Sequence, residues 1–199
     1  EEIMGNKGNT LLIIIGIIVL AAVLGVSFIV GGLNTVVTKD EAVNAAWAQV
    51  ENQLQRRNDL IPNLVQTVKG IASQEREVFL NVADARSKRA GRIQMNESVS
   101  SKIDAANQLQ SALSRLLMIV ERYPDLKSNQ NFARLQDELA GTENRIAVER
   151  KRYNDAVRDF NTHIRRIPGS FFASLKGMEQ KPYFESVEGS AEPPAVSFE

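Results

Sequence analysis

No charged residue occurs between Lys7 and Lys39, and inside that gap Leu11 to Val30 is a run whose only conventional polar side chain is Ser27. At about 1.5 Å per residue the run makes a helix roughly 30 Å long, the thickness of a bilayer's hydrocarbon layer. A helix buried in a soluble core is seldom apolar on every face for so long. The run therefore predicts a transmembrane helix over 11–33, preceded by a short tail, 1–10. A cleavable signal sequence has a shorter apolar region with small residues at a cleavage site. Ala21-Ala22 and Gly31-Gly32 are small, but this run is too long. Gly16 and Gly25 suit close packing of such helices, and equally suit a lone anchor. Lys7 and Lys39 balance each other as topology signals. The orientation adopted is a short tail inside with the following domain translocated, extracytoplasmic.

Past Lys39 the pattern changes to an amphipathic one. Val43, Trp47, Val50, Leu54, Arg57, Ile61, Leu64, Val68 and Ile71 step by alternating four and three residues, an a/d seam broken only by Arg57. Thr38 or Asp40 can cap its start, Gly70 and Ser73 suggest its end, and Pro62 predicts a kink. A second helix is expected over about 74–90, with Val78, Val82 and Ala85 on one face and Gly91 as a break. A third, over about 97–123, carries Val99, Ile103, Ala106, Gln110, Leu113, Leu117 and Val120, and is closed by Pro124. A fourth, over about 129–167, carries Phe132, Leu135, Leu139, Thr142, Ile146, Glu149, Tyr153, Val157, Phe160, Ile164 and Ile167, and ends at Pro168-Gly169. The fold class is all-α: a transmembrane helix followed by a long up-and-down four-helix bundle over 38–168.

If the first and fourth helices run antiparallel from the membrane, residues at equal height have numbers summing to about 207. Arg57 then faces Glu149, with Gln110 near the same level. A lone buried charge is too costly, so Arg57, Gln110 and Glu149 are expected to share a buried polar layer. Such a layer can set helix register or form a polar site; register setting is the simpler role. Glu149 also has Arg152 three residues on, as on a solvated helix face.

The chemistry open to the chain is narrow. It has 24 Lys+Arg against 24 Asp+Glu, one His and no Cys. A neutral chain lacks the basic excess of a nucleic-acid binder. Without Cys there is no disulfide, thiolate nucleophile or zinc finger. With only His163 there is no multi-histidine metal site, and no Glu-x-x-His pair or phosphate loop occurs. No catalytic, cofactor or metal residues are assigned, and His163 is placed at the surface or near lipid headgroups. The tail, 169–199, is aromatic and contains Pro193-Pro194. By the same height argument it starts beside the bilayer. Arg165, Arg166, Phe171, Phe172, Leu175 and Lys176 are the expected membrane-interface residues, the arginines reaching lipid phosphates. Packing of this tail back onto the bundle is the alternative, and residues 188–199 read as extended and disordered when alone.

Three stretches carry a family resemblance: DEAVNAAWAQVENQLQRRNDLIPNLVQTVKG at 40–70, ENRIAVERKRYNDAVRDFN at 143–161 and KPYFE at 181–185. Together with the anchor they resemble the LemA family over nearly the whole chain. The resemblance implies a bacterial membrane protein with one N-terminal anchor and a long four-helix bundle, with a magnetosome-forming relative and no catalytic residues to carry over. It also implies a short N-terminus outside the cell, opposite to the orientation read above. The functional expectation is a non-catalytic protein of the bacterial plasma (inner) membrane that binds membrane lipids, self-assembles as a homo-oligomer and scaffolds a membrane patch. Other envelope proteins are further partners, and no nucleic acid is. The alternative is a monomeric adaptor presenting a helix face to a protein partner.

Overall fold

The structure, a computed structural model, describes residues 2–72, 75–94, 97–120 and 122–185. Ser73 and the stretch 188–199 therefore lie outside the described residues. Six helices and no strand occur among the described residues: α1 (Glu2–Ile71), α2 (Arg76–Gln94), α3 (Val99–Val120), α4 (Pro124–Lys127), α5 (Gln130–Arg165) and α6 (Gly169–Lys176).

The apolar run and the first seam belong to one helix. α1 makes no new start at residue 40; instead Asp40 accepts a hydrogen bond from Asn44 (3.3 Å) and pairs with Lys181 (2.8 Å). Pro62 lies within α1 and removes the N–H that would have bonded the Asn58 carbonyl. α2 runs through Gly91 to Gln94, since one glycine costs a helix only about 1 kcal/mol. Pro124 opens the single turn α4, where its missing N–H is no loss. Asn129 caps α5, its Oδ1 accepting from the N–H groups of Asn131 (3.0 Å) and Phe132 (3.1 Å). α6, unforeseen in the pattern, ends in a Schellman turn. The Gly177 N–H reaches the Ser174 carbonyl, the Met178 N–H reaches Ala173, and Gly177 takes the left-handed conformation at φ 62°.

The chain divides into two compact units, and α1 and α5 contribute residues to each. Unit 1 comprises residues 1–44 and 156–181. Unit 2 comprises residues 45–155 and 182–199. Unit 2 is the four-helix bundle. Its contacts give the directions: Glu51 meets Lys102 and Arg57 meets Gln110, so α1 and α3 are parallel. Trp47 meets Tyr153 and Arg57 meets Glu143, so α1 and α5 are antiparallel. Arg92 meets Ser101 and Glu75 meets Tyr123, so α2 and α3 are antiparallel. The core gathers Ile61, Leu64 and Val68 with Phe79 and Val82, Leu109, Leu113 and Leu116, and Phe132 and Leu139. The buried stripe of α3 is rotated from the expected seam: Leu116 is fully buried and Leu117 only half-buried. In unit 1, Val36 and Val43 are buried with Val157, Phe160 and Ile164.

Candidate functional site

Among the described residues of unit 2, the buried polar side chains are Arg57, Asn58, Arg89 and Thr142. Arg57, 2 % exposed, is held by three acceptors. Its Nη1 donates to Gln110 Oε1 (2.6 Å) and to Glu143 Oε1 (3.0 Å), and its Nη2 donates to the Ala106 carbonyl (3.1 Å). Of the three residues expected in the layer, the structure brings Arg57 and Gln110 together. Glu149 is not with them; half-buried, it accepts from the exposed Arg152 three residues on (2.7 Å). The carboxylate on Arg57 is Glu143. The reason is register: Lys39 pairs with Asp159 and Arg57 with Glu143, so facing numbers sum to about 200. That is one heptad short of 207, a slip that keeps apolar seams in contact while changing which polar residues meet.

Arg89 is the residue that the pattern reading missed. It follows Val82 and Ala85 at the next seam step and is 3 % exposed. Burial, then repulsion from Arg57, lowers its pKa to about 10, against weaker opposing pulls from Glu51 and Asp59. Its Nη1, the Arg57 Nε and the Asn58 Oδ1 are buried without a hydrogen-bond partner. A cleft of about 330 Å³ between α3 and α5, lined by Leu113, Leu117, Leu139 and Ala140, ends at Gln110 and Glu143. The layer joins the Arg57 guanidinium to an amide oxygen, a carboxylate and a backbone carbonyl, an arrangement that holds a charge in place. Among the described residues no three His, Asp or Glu side chains gather as a metal site.

The segment after α6 is tied down by side chains. In unit 1, Asn161 donates from Nδ2 to the Lys181 carbonyl (2.9 Å) and accepts the Lys181 N–H (2.9 Å). In unit 2, Asn154 does the same to Phe184 (3.0 and 2.8 Å). Each amide thus pairs with a backbone as a neighbouring strand would. Tyr153 Oη donates to the Pro182 carbonyl (2.8 Å), and Phe184 sits near the Trp47 ring (6.3 Å) under the Arg150 guanidinium. Burial pushes the Tyr153 phenol up from 10 to about 12. A raised phenol pKa means the folded state holds its proton more tightly. This contribution to stability is thus full below pH 10 and is lost as pH rises towards 12. Arg89, with its lowered pKa, contributes in the opposite direction over the same range, so the Tyr153 part is read as a difference. In titrations of the full chain in mild denaturant, followed by Trp47 fluorescence, the parent should lose stability relative to Tyr153→Phe between pH 10 and 12.

The expected interface residues lie in unit 1. Phe172 is not open to lipid. It is 1 % exposed, tilted against Phe28 of α1 (5.7 Å between rings) and fitted over Gly32, where any Cβ would collide with its ring. Phe171 and Leu175 are each 59 % exposed, and Arg165, Arg166 and Lys176 are exposed. Ile167, expected to close the α5 seam, is 92 % exposed because α5 has ended at Arg165. His163 is half-buried, with its Nε2 buried and unbonded.

Comparison with known proteins now has a fold to rest on. A family model described as the LemA family matches residues 46–198. Magnetosome protein MamQ 2 of Paramagnetospirillum magneticum is 28% identical over 189 residues, covering 84% of this chain and 70% of that protein. Magnetosome protein MamQ of Magnetospirillum gryphiswaldense is 26% identical over 197 residues, covering 86% and 71%. Protein LemA of Metamycoplasma hominis is 22% identical over 135 residues, covering 68% and 60%.

Proposed function

The chain belongs to the LemA family, and from that premise we propose that this membrane-associated helical protein is a non-catalytic scaffold of the bacterial plasma membrane. It crosses the membrane once, self-assembles, and organises a membrane patch, with unit 2 on the extracytoplasmic side. The observation that carries this reading is the state of the apolar stretch of α1. It has a mean hydropathy of 3.1 with none of that stretch buried inside the chain, so lipid or other chains must cover it. The space beside Gly16 and Gly25 is open, which leaves room for a second helix to approach closely. The relatives named as magnetosome proteins support a membrane-associated helical protein. The polar layer of unit 2 fits this role, since buried polar groups in a bundle set register.

The mass of the full-length protein extracted in native lipid tests the reading. A uniform multimer is expected. A monomer that captures a protein partner in fixed stoichiometry would replace the scaffold with the adaptor.

A further inference from the structure

We propose that α6 is a second membrane attachment of this chain. It lies in the interface of one leaflet, with Ile167, Phe171 and Leu175 in the acyl boundary and Arg165, Arg166 and Lys176 on lipid phosphates. The inference rests on the membrane reading of α1 and adds to it a defined lipid contact.

The argument is one of depth. Within unit 1, Phe172 fixes α6 to α1 at Phe28 and Gly32. Phe28 lies two residues before the end of the apolar run at Val30, about 3 Å along the helix. Wherever the run fills the hydrocarbon layer, α6 is carried to the hydrocarbon–headgroup boundary. The first charges beyond it on α1 are Lys39 and Asp40, both in ion pairs within unit 1. They stand roughly 13 Å past Val30, outside a headgroup zone about 7 Å deep. Between these levels Thr35 donates its hydroxyl to the Gly31 carbonyl (2.8 Å), and the exposed Asn34 and Thr38 are uncharged polar side chains of the kind a headgroup zone solvates.

The face that α6 turns away from α1 has the composition this depth requires. Phe171 and Leu175 are one helical turn apart and 59 % exposed, and Ile167, in the turn just before α6, is 92 % exposed. In water such a cluster is a liability. At the boundary it is covered. The two arginines before α6 and the lysine in its last turn are exposed. Long cationic side chains extend from such a position to phosphates. The bilayer is the occupant to which this face is continuous, because the helix it packs on is itself the membrane segment.

The absence of cysteine allows a direct test with single labels on the full chain. Leu175→Cys, Val30→Cys and Gln108→Cys proteins would carry a polarity-sensitive fluorophore in nanodiscs of phosphatidylcholine, with or without phosphatidylglycerol. The expected result is that the label at 175 behaves like the one at 30. Brominated acyl chains should quench it and aqueous iodide should not, with the reverse at 108. Anionic lipid should deepen the 175 response. Exchange of Arg165, Arg166 and Lys176 for Gln should remove that dependence, at roughly fivefold per charge in lipid preference. Iodide quenching at 175 with lipid quenching at 30 rejects the second attachment and leaves the anchor standing. Iodide quenching at 30 rejects the anchor. Shielding of 175 from both quenchers means that a second copy covers α6 and also overturns the proposal. Insertion indifferent to anionic lipid and to the triple exchange refutes the phosphate contact.

Discussion

Replacing Arg57 with alanine is expected to destabilise unit 2 by about 3–5 kcal/mol, the effect of breaking a buried charge network from one side. The side chain is 2 % exposed and supplies donors to Gln110, Glu143 and the Ala106 carbonyl. Alanine leaves those acceptors without their donor and a void where the guanidinium was. Methionine keeps the volume of the stem, so Arg57→Met should cost less than half as much. Arg89→Met should act in the opposite direction. Arg89 is 3 % exposed, its Nη1 has no partner, and Arg57 repels it. Removing that charge should raise stability by roughly 1–2 kcal/mol. The single Trp47 lies in unit 2 and reports its unfolding by urea in micelles. A loss below about 1 kcal/mol for Arg57→Ala would show that the network is solvated and contributes little. Destabilisation by Arg89→Met would show that its guanidinium has partners worth more than its burial costs.

The sequence made some of this layer legible and hid the rest for one reason. A 3.5-residue seam identifies which face of a helix goes inward, so Arg57 and Gln110 stood out as polar residues in apolar stripes. Height along the partner helix is set by loop lengths and by whichever heptad row docks, and the seam repeats identically at each row. Glu149 and Glu143 therefore differ by a slip that no single-helix pattern resolves. Arg89 was within reach, because Val82, Ala85 and Arg89 continue one stripe inside the helix expected before Gly91. Asn154 and Asn161 were not. They follow the seam residues Tyr153 and Phe160, and nothing local marks them until a distant extended segment is laid beside α5. Phe172 shows the same limit: its aromatic character suited the interface, but only the close approach at Gly32 reveals that it faces α1.

That distant segment gives the other large expected effect. Phe184→Ala should weaken docking of residues 182–185 by about 3–4 kcal/mol, as for a buried aromatic cut to a methyl. Phe184 is 4 % exposed, close to the Trp47 ring and within 5.9 Å of the Arg150 guanidinium. Its N–H donates to Asn154 Oδ1, which makes that amide a direct reporter of docking. Free-energy differences of this size correspond to two to three decades in an opening equilibrium, at about 1.4 kcal/mol per decade. Hydrogen exchange at residue 184 should accelerate accordingly in the full chain, while amides of α3 keep their protection. Asn154→Leu removes two hydrogen bonds and fills the space with an apolar side chain, so its effect should be smaller, about 1–3 kcal/mol. Tyr183→Ala is the control, because Tyr183 is 44 % exposed and its ring stacks on no other ring among the described residues. Equal exchange rates in the parent and Phe184→Ala proteins would mean that the two asparagine-type backbone pairings and the Tyr153 hydroxyl hold the segment unaided. The aromatic pocket would then be a consequence of docking rather than its cause.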